Sequence, residues 1–240
     1  SGPLASQAPE FLRSHPVTVN RIAEARERAA EFPHRDVTDA TGYALARARI
    51  RLLTSPTPDA AATRFQSDLA AGGSASVGAE YGLALARLQM GEVPAARAAF
   101  EQLLARDPHV IPYHTGLAMA EMAAGDTAAA LGTYEHALRL FPRNVPLTVH
   151  YAEALMQNGR AKDAHRVLLD LLNAVAPTPE QVRLIALAAG AAGDTGDAHY
   201  YMAEYHLMGG DLNLAADELR VALGMPGLDP GQRARFSSRL

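Results

Sequence analysis

Residues 118–134 read AMAEMAAGDTAAALGTY, and their small residues mark a repeat that runs through most of the chain. Three positions in this stretch hold the same residue type again every 34 residues. They are an alanine seven residues before a glycine, the glycine itself, and an alanine five residues after it. The three columns are Ala84, Ala118, Ala152 and Ala186; Gly91, Gly125, Gly159 and Gly193; and Ala96, Ala130, Ala164 and Ala198. Three columns that share one period predict an array of repeated structural units.

The columns are typical of two antiparallel helices, A and B, in every repeat. We expect the alanines to lie where helix A approaches helix B, because a larger side chain there would force the helices apart. Each glycine is expected to end helix A in the left-handed conformation, which glycine adopts without steric cost. Acidic residues follow three of the glycines, and we expect Glu92, Asp126 and Asp194 to cap helix B.

Large residues and prolines follow the same period. A large side chain lies four residues after each alanine of helix B, and prolines are expected to end the B helices. These residues are Phe100, Tyr134, Leu168 and Met202, with Pro108, Pro142 and, shifted by one, Pro177. Small residues at the eighth and twentieth positions, an aromatic at the twenty-fourth and a proline at the thirty-second resemble the tetratricopeptide-repeat family over residues 77–209. The resemblance predicts an all-α superhelical solenoid of antiparallel helix pairs.

The flanks of the array are less regular. After residue 203 the pattern returns at 17 residues instead of 34, so a helix over 195–208 is predicted to serve two repeats. A further B helix is predicted over 211–224, and Asp229-Pro230 is expected to begin a last, capping helix that runs to Leu240.

Upstream of the array, two helices over 42–53 and 58–71 are predicted to form a degenerate repeat, followed by a joint at residues 72–74. The predicted domains are residues 1–34, residues 35–75 with the degenerate repeat and the joint, and residues 76–240 with the regular array. Residues 1–5 contain no initiator methionine and no signal peptide, so we expect the chain to begin inside a longer protein or to carry a tag remnant.

Residues 1–34 do not follow the repeat. FLRSHP at residues 11–16 is followed by Arg21-Ile22, and this arrangement resembles the end of the catalytic domain in zinc metallopeptidases of the HtpX/CAAX-protease type. In a periplasmic branch of that family, the β-barrel assembly-enhancing proteases, tetratricopeptide repeats follow directly. The resemblance implies a periplasmic domain that recruits outer-membrane protein substrates or their assembly machinery for a zinc metalloendopeptidase. The alternative is a free-standing adaptor with no catalytic domain in its chain.

The sequence holds no complete active site. The His-Glu-x-x-His motif of zinc peptidases, a Gly-x-Ser-x-Gly nucleophile motif and a glycine-rich phosphate loop are all absent from the 240 residues. Zinc is therefore expected only in a catalytic domain outside this sequence, and we expect no metal or other cofactor within it. The resemblance implies that His15 and Arg21 belong to the cleft of that missing domain. The alternative is that His15 is an exposed residue of an ordinary turn.

The composition of the chain limits the classes of partner that it can bind. The net charge is −4, without a basic or acidic run, which disfavours nucleic acid as a partner. Cysteine is absent, which excludes disulfides and thiol catalysis, and no apolar run is long enough to predict a membrane span. Nothing in the sequence indicates the oligomeric state.

The resemblance also predicts where a partner binds. In such solenoids the A helices line a concave groove, and their second, fifth, ninth, twelfth and thirteenth positions point inward. The predicted groove residues are Tyr81, Leu85, Leu88, Gln89, Thr115, Met119, Met122, Val149, Glu153, Met156, Gln157, Arg183 and Leu187. Methionine-rich apolar surfaces suit varied protein or peptide partners. The alternative is that the three methionines are buried between repeats.

One subclass is disfavoured by the same positions. Chaperone-adaptor repeats hold a C-terminal carboxylate with lysine, asparagine and arginine at fixed groove positions. The matching residues here are Tyr81, Leu85, Gly116, Pro146 and His150. None of these supplies that set, so no carboxylate clamp of this kind is expected.

Overall fold

The computed structural model describes residues 18–30, 41–72 and 76–240, and these ranges contain thirteen helices and no strand. The chain divides into two compact units between residues 40 and 41. Helix α1 (Thr18–Ala30) belongs to the first unit, and its charged residues Glu24 and Arg28 form an exposed ion pair one turn apart.

The second unit is a solenoid of twelve helices within its described residues. They are α2 (Thr41–Thr54), α3 (Pro58–Ala71), α4 (Ser76–Gln89), α5 (Val93–Arg106), α6 (Ile111–Ala123), α7 (Thr127–Leu140), α8 (Val145–Gln157), α9 (Ala161–Leu172), α10 (Pro179–Ala192), α11 (Thr195–Gly209), α12 (Leu212–Gly224) and α13 (Pro230–Ser237). The predicted all-α solenoid of helix pairs is confirmed. Helix α11 packs against both α10 and α12, as expected for a helix that serves two repeats.

The repeat glycines and the predicted acidic caps follow the expected chemistry, except at Glu92. All four glycines of the repeat have φ between 72° and 88°, so each closes its A helix in the left-handed conformation. The carboxylate of Asp126 accepts a hydrogen bond from the Ala129 amide at 3.2 Å, which caps α7. The prediction that Glu92 caps α5 was wrong. Its longer side chain makes no capping bond and reaches instead to Arg87, with 3.8 Å between carboxylate and guanidinium.

Two helix ends differ from the sequence prediction. Helix α9 ends at Leu172, before a turn that leads to the N-cap of α10, so Pro177 does not terminate α9. Helix α13 begins at Pro230 as predicted but ends at Ser237 instead of Leu240. Helix α9 thus ends five residues before Pro177, and α13 ends three residues before Leu240.

The alanine columns form the centre of the solenoid. The A-helix alanines are buried throughout, and the B-helix alanines are buried except Ala198, which is partly exposed. Around them lie two hydrophobic clusters, which extend from Leu45 to Ala120 and from Ala118 to Phe236. Helix α6 contributes to both clusters and so joins the two halves of the core.

Two glycines inside A helices make room for phenylalanine rings. A Cβ atom at Gly82 would lie 2.4 Å from the ring of Phe65, and one at Gly116 would lie 2.3 Å from the ring of Phe100. Both rings are fully buried, so neither can move aside without disturbing its neighbours. The missing side chain at each glycine therefore lets the preceding B helix press its ring against the next A helix.

The first helix pair is packed differently from the others. In the regular repeats each A helix packs against its own B helix, whereas α2 packs mainly against α4 and only slightly against α3. The backbones approach closely at Gly78, where a Cβ atom would lie 2.8 Å from the carbonyl oxygen of Ala44. Helix α2 thus lies beside the A helix of the following repeat.

The last helix closes the C-terminal end. The Phe236 ring is completely buried and stacks on Tyr200, with 5.0 Å between ring centroids. The buried carboxylate of Asp197 accepts hydrogen bonds from the side chains of Arg235 and Gln232. Burial raises the pKa of Asp197, while the guanidinium of Arg235 acts in the opposite direction. A short helix with one aromatic anchor and one ion pair to a buried carboxylate therefore caps the array.

Candidate functional site

The A helices present two columns of side chains to a common surface. The columns occupy the fifth and ninth positions of each repeat, which are one helical turn apart and lie on the same face. The pairs are Tyr81 with Leu85, Thr115 with Met119, Val149 with Glu153, and Arg183 with Leu187. All eight residues line two hollows, and this surface is called the A-helix groove below.

The first hollow lies among α2, α4, α6 and α8 and has a volume of about 120 Å³. Its walls are mainly apolar, with polar groups contributed by arginine, glutamine, threonine and histidine. The lining residues are Arg49, Leu52, Leu53, Tyr81, Leu85, Gln89, Pro112, Thr115, Gly116, Met119 and His150.

The second hollow lies between α8 and α10 and is larger, at about 330 Å³. It is lined by Val145, Pro146, Val149, His150, Glu153, Thr178, Glu180, Gln181, Arg183, Leu184 and Leu187. Its lining contains both acidic and basic side chains, so this end of the groove is more polar than the first hollow.

His150 joins the two hollows, since it lines both of them. Its Nδ1 atom lies 3.1 Å from a carboxylate oxygen of Glu153, one turn further along α8. The side chains at this junction are partly exposed, so the pair is hydrated. The groove is therefore continuous from α2 to α10, with a polar pair at its middle.

Tyr81 and Thr115 contribute to the first hollow from buried positions. Burial raises the pKa of the Tyr81 hydroxyl, and the nearby guanidinium of Arg49 acts in the opposite direction. The hydroxyl thus stays protonated at neutral pH and can donate a hydrogen bond. Met119 lies across from it with 41% of its surface exposed, and Leu187 is 48% exposed in the second hollow.

The twelfth-position residues line neither hollow, unlike the residues predicted at the fifth and ninth positions. Leu88, Met122 and Met156 are partly buried and pack against the hydrophobic clusters. Each lies four residues after a buried alanine of the A helix and so shares its core-facing side. The alternative that the methionines are core residues therefore holds for Met122 and Met156 but not for Met119.

Of the two thirteenth-position residues predicted to line the groove, one lines a hollow and the other does not. Gln89 lines the first hollow, whereas Gln157 is exposed without lining either hollow. Of the residues assigned to the cleft of a missing peptidase domain, His15 lies outside the described residues. Arg21 falls within α1, but its side chain is also outside the described part of the structure.

Several lining residues were not predicted. Arg49, Leu52 and Leu53 come from α2, whose repeat is too degenerate for its groove positions to be numbered from the sequence. Pro112 and Pro146 occupy the second position of their repeats, one of the positions expected to point inward, and could have been assigned. The 34-residue period gives no indication that α2 lies close to α4.

Within the described ranges, no three histidine, aspartate or glutamate side chains are grouped so that they could hold a metal ion. Likewise, none of the helices described is both long and apolar enough to cross a membrane.

Comparison with known proteins supports the repeat assignment. Two family models, both described as tetratricopeptide repeat, match residues 81–111 and residues 121–188. A protein of Vibrio cholerae described as "Putative beta-barrel assembly-enhancing protease" is 42% identical over 166 residues, which cover 68% of this chain and 34% of that protein. This chain matches only about a third of the length of that relative.

Solved structures share the fold. A thermophilic tetratricopeptide-repeat protein of Thermus thermophilus is 25% identical, and the match covers 83% of this chain and 98% of that one with a TM-score of 0.51. PilW, a widely conserved type IV pilus biogenesis factor, is 16% identical, with 84% and 89% covered and a TM-score of 0.56. The chain contains tetratricopeptide repeats and is a protein-interaction module of that kind, similar in sequence to part of a protein described as a putative β-barrel assembly-enhancing protease.

Proposed function

We propose that this chain is the protein-binding domain of a periplasmic zinc metalloprotease that acts in the quality control of outer-membrane β-barrel proteins. The observation that supports a binding role is the A-helix groove, whose two hollows share His150 and expose Met119 and Leu187. The similarity to a protein named as a β-barrel assembly-enhancing protease supports the choice of partner.

The chemistry of the groove fits an unfolded β-barrel chain. Strands of such barrels alternate apolar and polar residues, so an extended segment has an apolar side chain at every second position. The groove offers apolar positions such as Leu85 and Met119, interrupted by polar groups such as Gln89 and the Glu153–His150 pair. Apolar area buried on binding contributes about 25 cal/mol per Å² before the ordering of the chain is subtracted.

Recruitment would serve a catalytic domain carried by the same polypeptide. A substrate held by the groove is present at a raised effective concentration near that domain, even when each contact is weak. Zinc and the groups that activate water belong to that catalytic domain in this proposal. The role of this chain is to bind.

The alternative is a free-standing adaptor whose partner is recruited for another protein. The coding sequence upstream of residue 1 discriminates between the two. A signal peptide followed by a helix with His-Glu-x-x-His supports the protease, and the absence of both supports the adaptor.

The binding role is tested with a fluorescently labelled outer-membrane β-barrel protein, diluted from urea and titrated with the chain. We expect the double variant Met119→Glu, Leu187→Glu to bind at least about tenfold more weakly, because charge in an apolar groove must lose hydration or exclude the partner. Leu140→Glu is the matched control, since Leu140 is also 41% exposed but lies on the B helix α7. Equal binding by wild type and a folded double variant would exclude the groove.

A further inference from the structure

The first hollow differs from the rest of the groove because α2 forms one of its walls. Leu52 and Leu53 of α2 line it opposite Leu85 and Met119 of the regular repeats. Helix α2 is held there by its close approach to α4 at Gly78. No other A helix packs so extensively against its successor among the described repeats.

The size of the hollow limits what it can hold. At about 120 Å³ it is slightly smaller than an engineered protein cavity of about 150 Å³ that binds one benzene molecule. A hollow of this size accepts one aliphatic side chain of leucine size. It is too small for an indole ring or a whole helix.

The charge in its lining comes from one arginine. Among the described residues that line it, Arg49 carries a guanidinium and none carries a carboxylate. His150, which also lines it, is paired with Glu153, and Tyr81 contributes a protonated hydroxyl. The second hollow contains Glu153 and Glu180 as well as Arg183. The first hollow therefore favours a ligand with an acidic group, and the second has no such preference.

We propose that the first hollow is an anchor site for one leucine-sized side chain of an extended peptide that carries Asp or Glu within two residues of it. The aliphatic side chain fills the space between α2 and the regular repeats, and the carboxylate pairs with Arg49. The anchor rests on the proposed function, since it specifies which segments of a partner the groove retains. The acidic group is a side chain within the peptide.

Carbon-13 methyl labelling of methionine gives a direct readout, because Met119 is the methionine that lines the first hollow. Its methyl signal is assigned with Met119→Leu and followed during titration with the capped peptide Ac-Gly-Ser-Leu-Glu-Glu-Ser-Gly-NH2. We expect a saturable shift with this peptide. Replacing the leucine of the peptide by alanine should weaken binding by about tenfold. Replacing both glutamates by lysine should weaken it by about fivefold, as expected for an exposed ion pair turned into repulsion.

Two variants of the chain test the two parts of the site separately. Arg49→Gln should remove the preference for the glutamate peptide over the lysine peptide, whereas Arg139→Gln on the exposed face of α7 should retain it. Gly78→Ala should displace α2 and weaken binding of the glutamate peptide, whereas Gly42→Ala on α2, with open space around it, should not. Equal binding of the glutamate and lysine peptides by wild type would overturn the proposal.

A second label separates failure of this inference from failure of the proposed function. The methyl groups of Leu187 report on the second hollow. If they shift with the labelled β-barrel protein while Met119 stays unchanged, the groove binds but the anchor site is absent. If neither signal responds to the β-barrel protein or to the peptides, both the anchor and the groove assignment are wrong.

Discussion

The pair α2–α3 and the regular pairs α4–α5, α6–α7 and α8–α9 have similar helix lengths but different packing. In the regular pairs, helix A lies along its own helix B. Helix α3 packs against α4 as a regular B helix packs against the next A helix. Helix α2, in contrast, has few contacts with α3 and packs mainly against α4. The second position of the repeat shows the difference, since it is Gly78 in α4 but Pro112 and Pro146 in α6 and α8.

The comparison shows that a repeat period predicts the helix contacts that recur in every repeat. It does not predict a contact that occurs in a single repeat. Ala118 and Ala152 are buried because each repeat brings the same two helices together there. The approach of Ala44 to Gly78 occurs at one end of the array only. That single contact supplies a wall of the first hollow and so gives the groove two unlike halves.

The largest effect is expected inside the regular pairs. Ala118→Leu should lower the free energy of unfolding by about 1–3 kcal/mol or more, because the alanine is completely buried between helices. Ala46→Leu on the exposed face of α2 should change it by less than about 0.5 kcal/mol. Urea denaturation of both variants measures the difference. Equal effects would mean that the two regions do not differ in the way described.

The glycines that face phenylalanine rings sharpen the comparison at α3. Gly82→Ala and Gly116→Ala should each cost about 1–2 kcal/mol net, since overpacking outweighs the gain in helix propensity. Gly132→Ala is the control, because Gly132 lies in α7 with open space around it. This substitution should raise the free energy of unfolding by up to about 1 kcal/mol. Similar costs at Gly82 and Gly116 would show that α3 packs as a regular B helix. A stabilised Gly82→Ala would contradict this.

The smallest effect is expected where α2 crosses α4. Gly78→Ala should reduce global stability by less than about 1 kcal/mol, because α2 is an end helix and alanine favours the helical conformation of α4. Its main result should be faster amide hydrogen exchange in α2, with α6–α9 unchanged. Gly42→Ala should leave exchange in α2 unchanged or slower. Unchanged exchange in both variants would show that α2 does not depend on this contact.

Much of the fold could be predicted because the chemistry of each repeat is local. The left-handed glycines and the aspartate caps depend on neighbouring residues, and the period shows the glycine in four repeats and the aspartate in two. The capping prediction failed at Glu92 because the extra methylene group of its side chain carries the carboxylate past the free amides to Arg87.

The groove could be predicted only in part. The fifth and ninth positions were placed by the family pattern, whereas the twelfth position required the geometry of the core alanine one turn earlier. The contribution of Arg49 and Leu52 depends on how α2 crosses α4, which is a tertiary contact without a sequence period. These residues became visible only once the helices were placed.

Site-specific photo-crosslinking tests the central claim that the A-helix groove binds the partner. A photoreactive amino acid is placed at Met119 in the groove and, in a second variant, at Leu140 on α7, where the exposed fraction is the same. Each folded variant is mixed with the urea-diluted outer-membrane β-barrel protein and irradiated. We predict a crosslinked product from position 119 that excess unlabelled β-barrel protein competes away, and little product from position 140. Crosslinking that is equal at both positions, or stronger at position 140, would contradict the account.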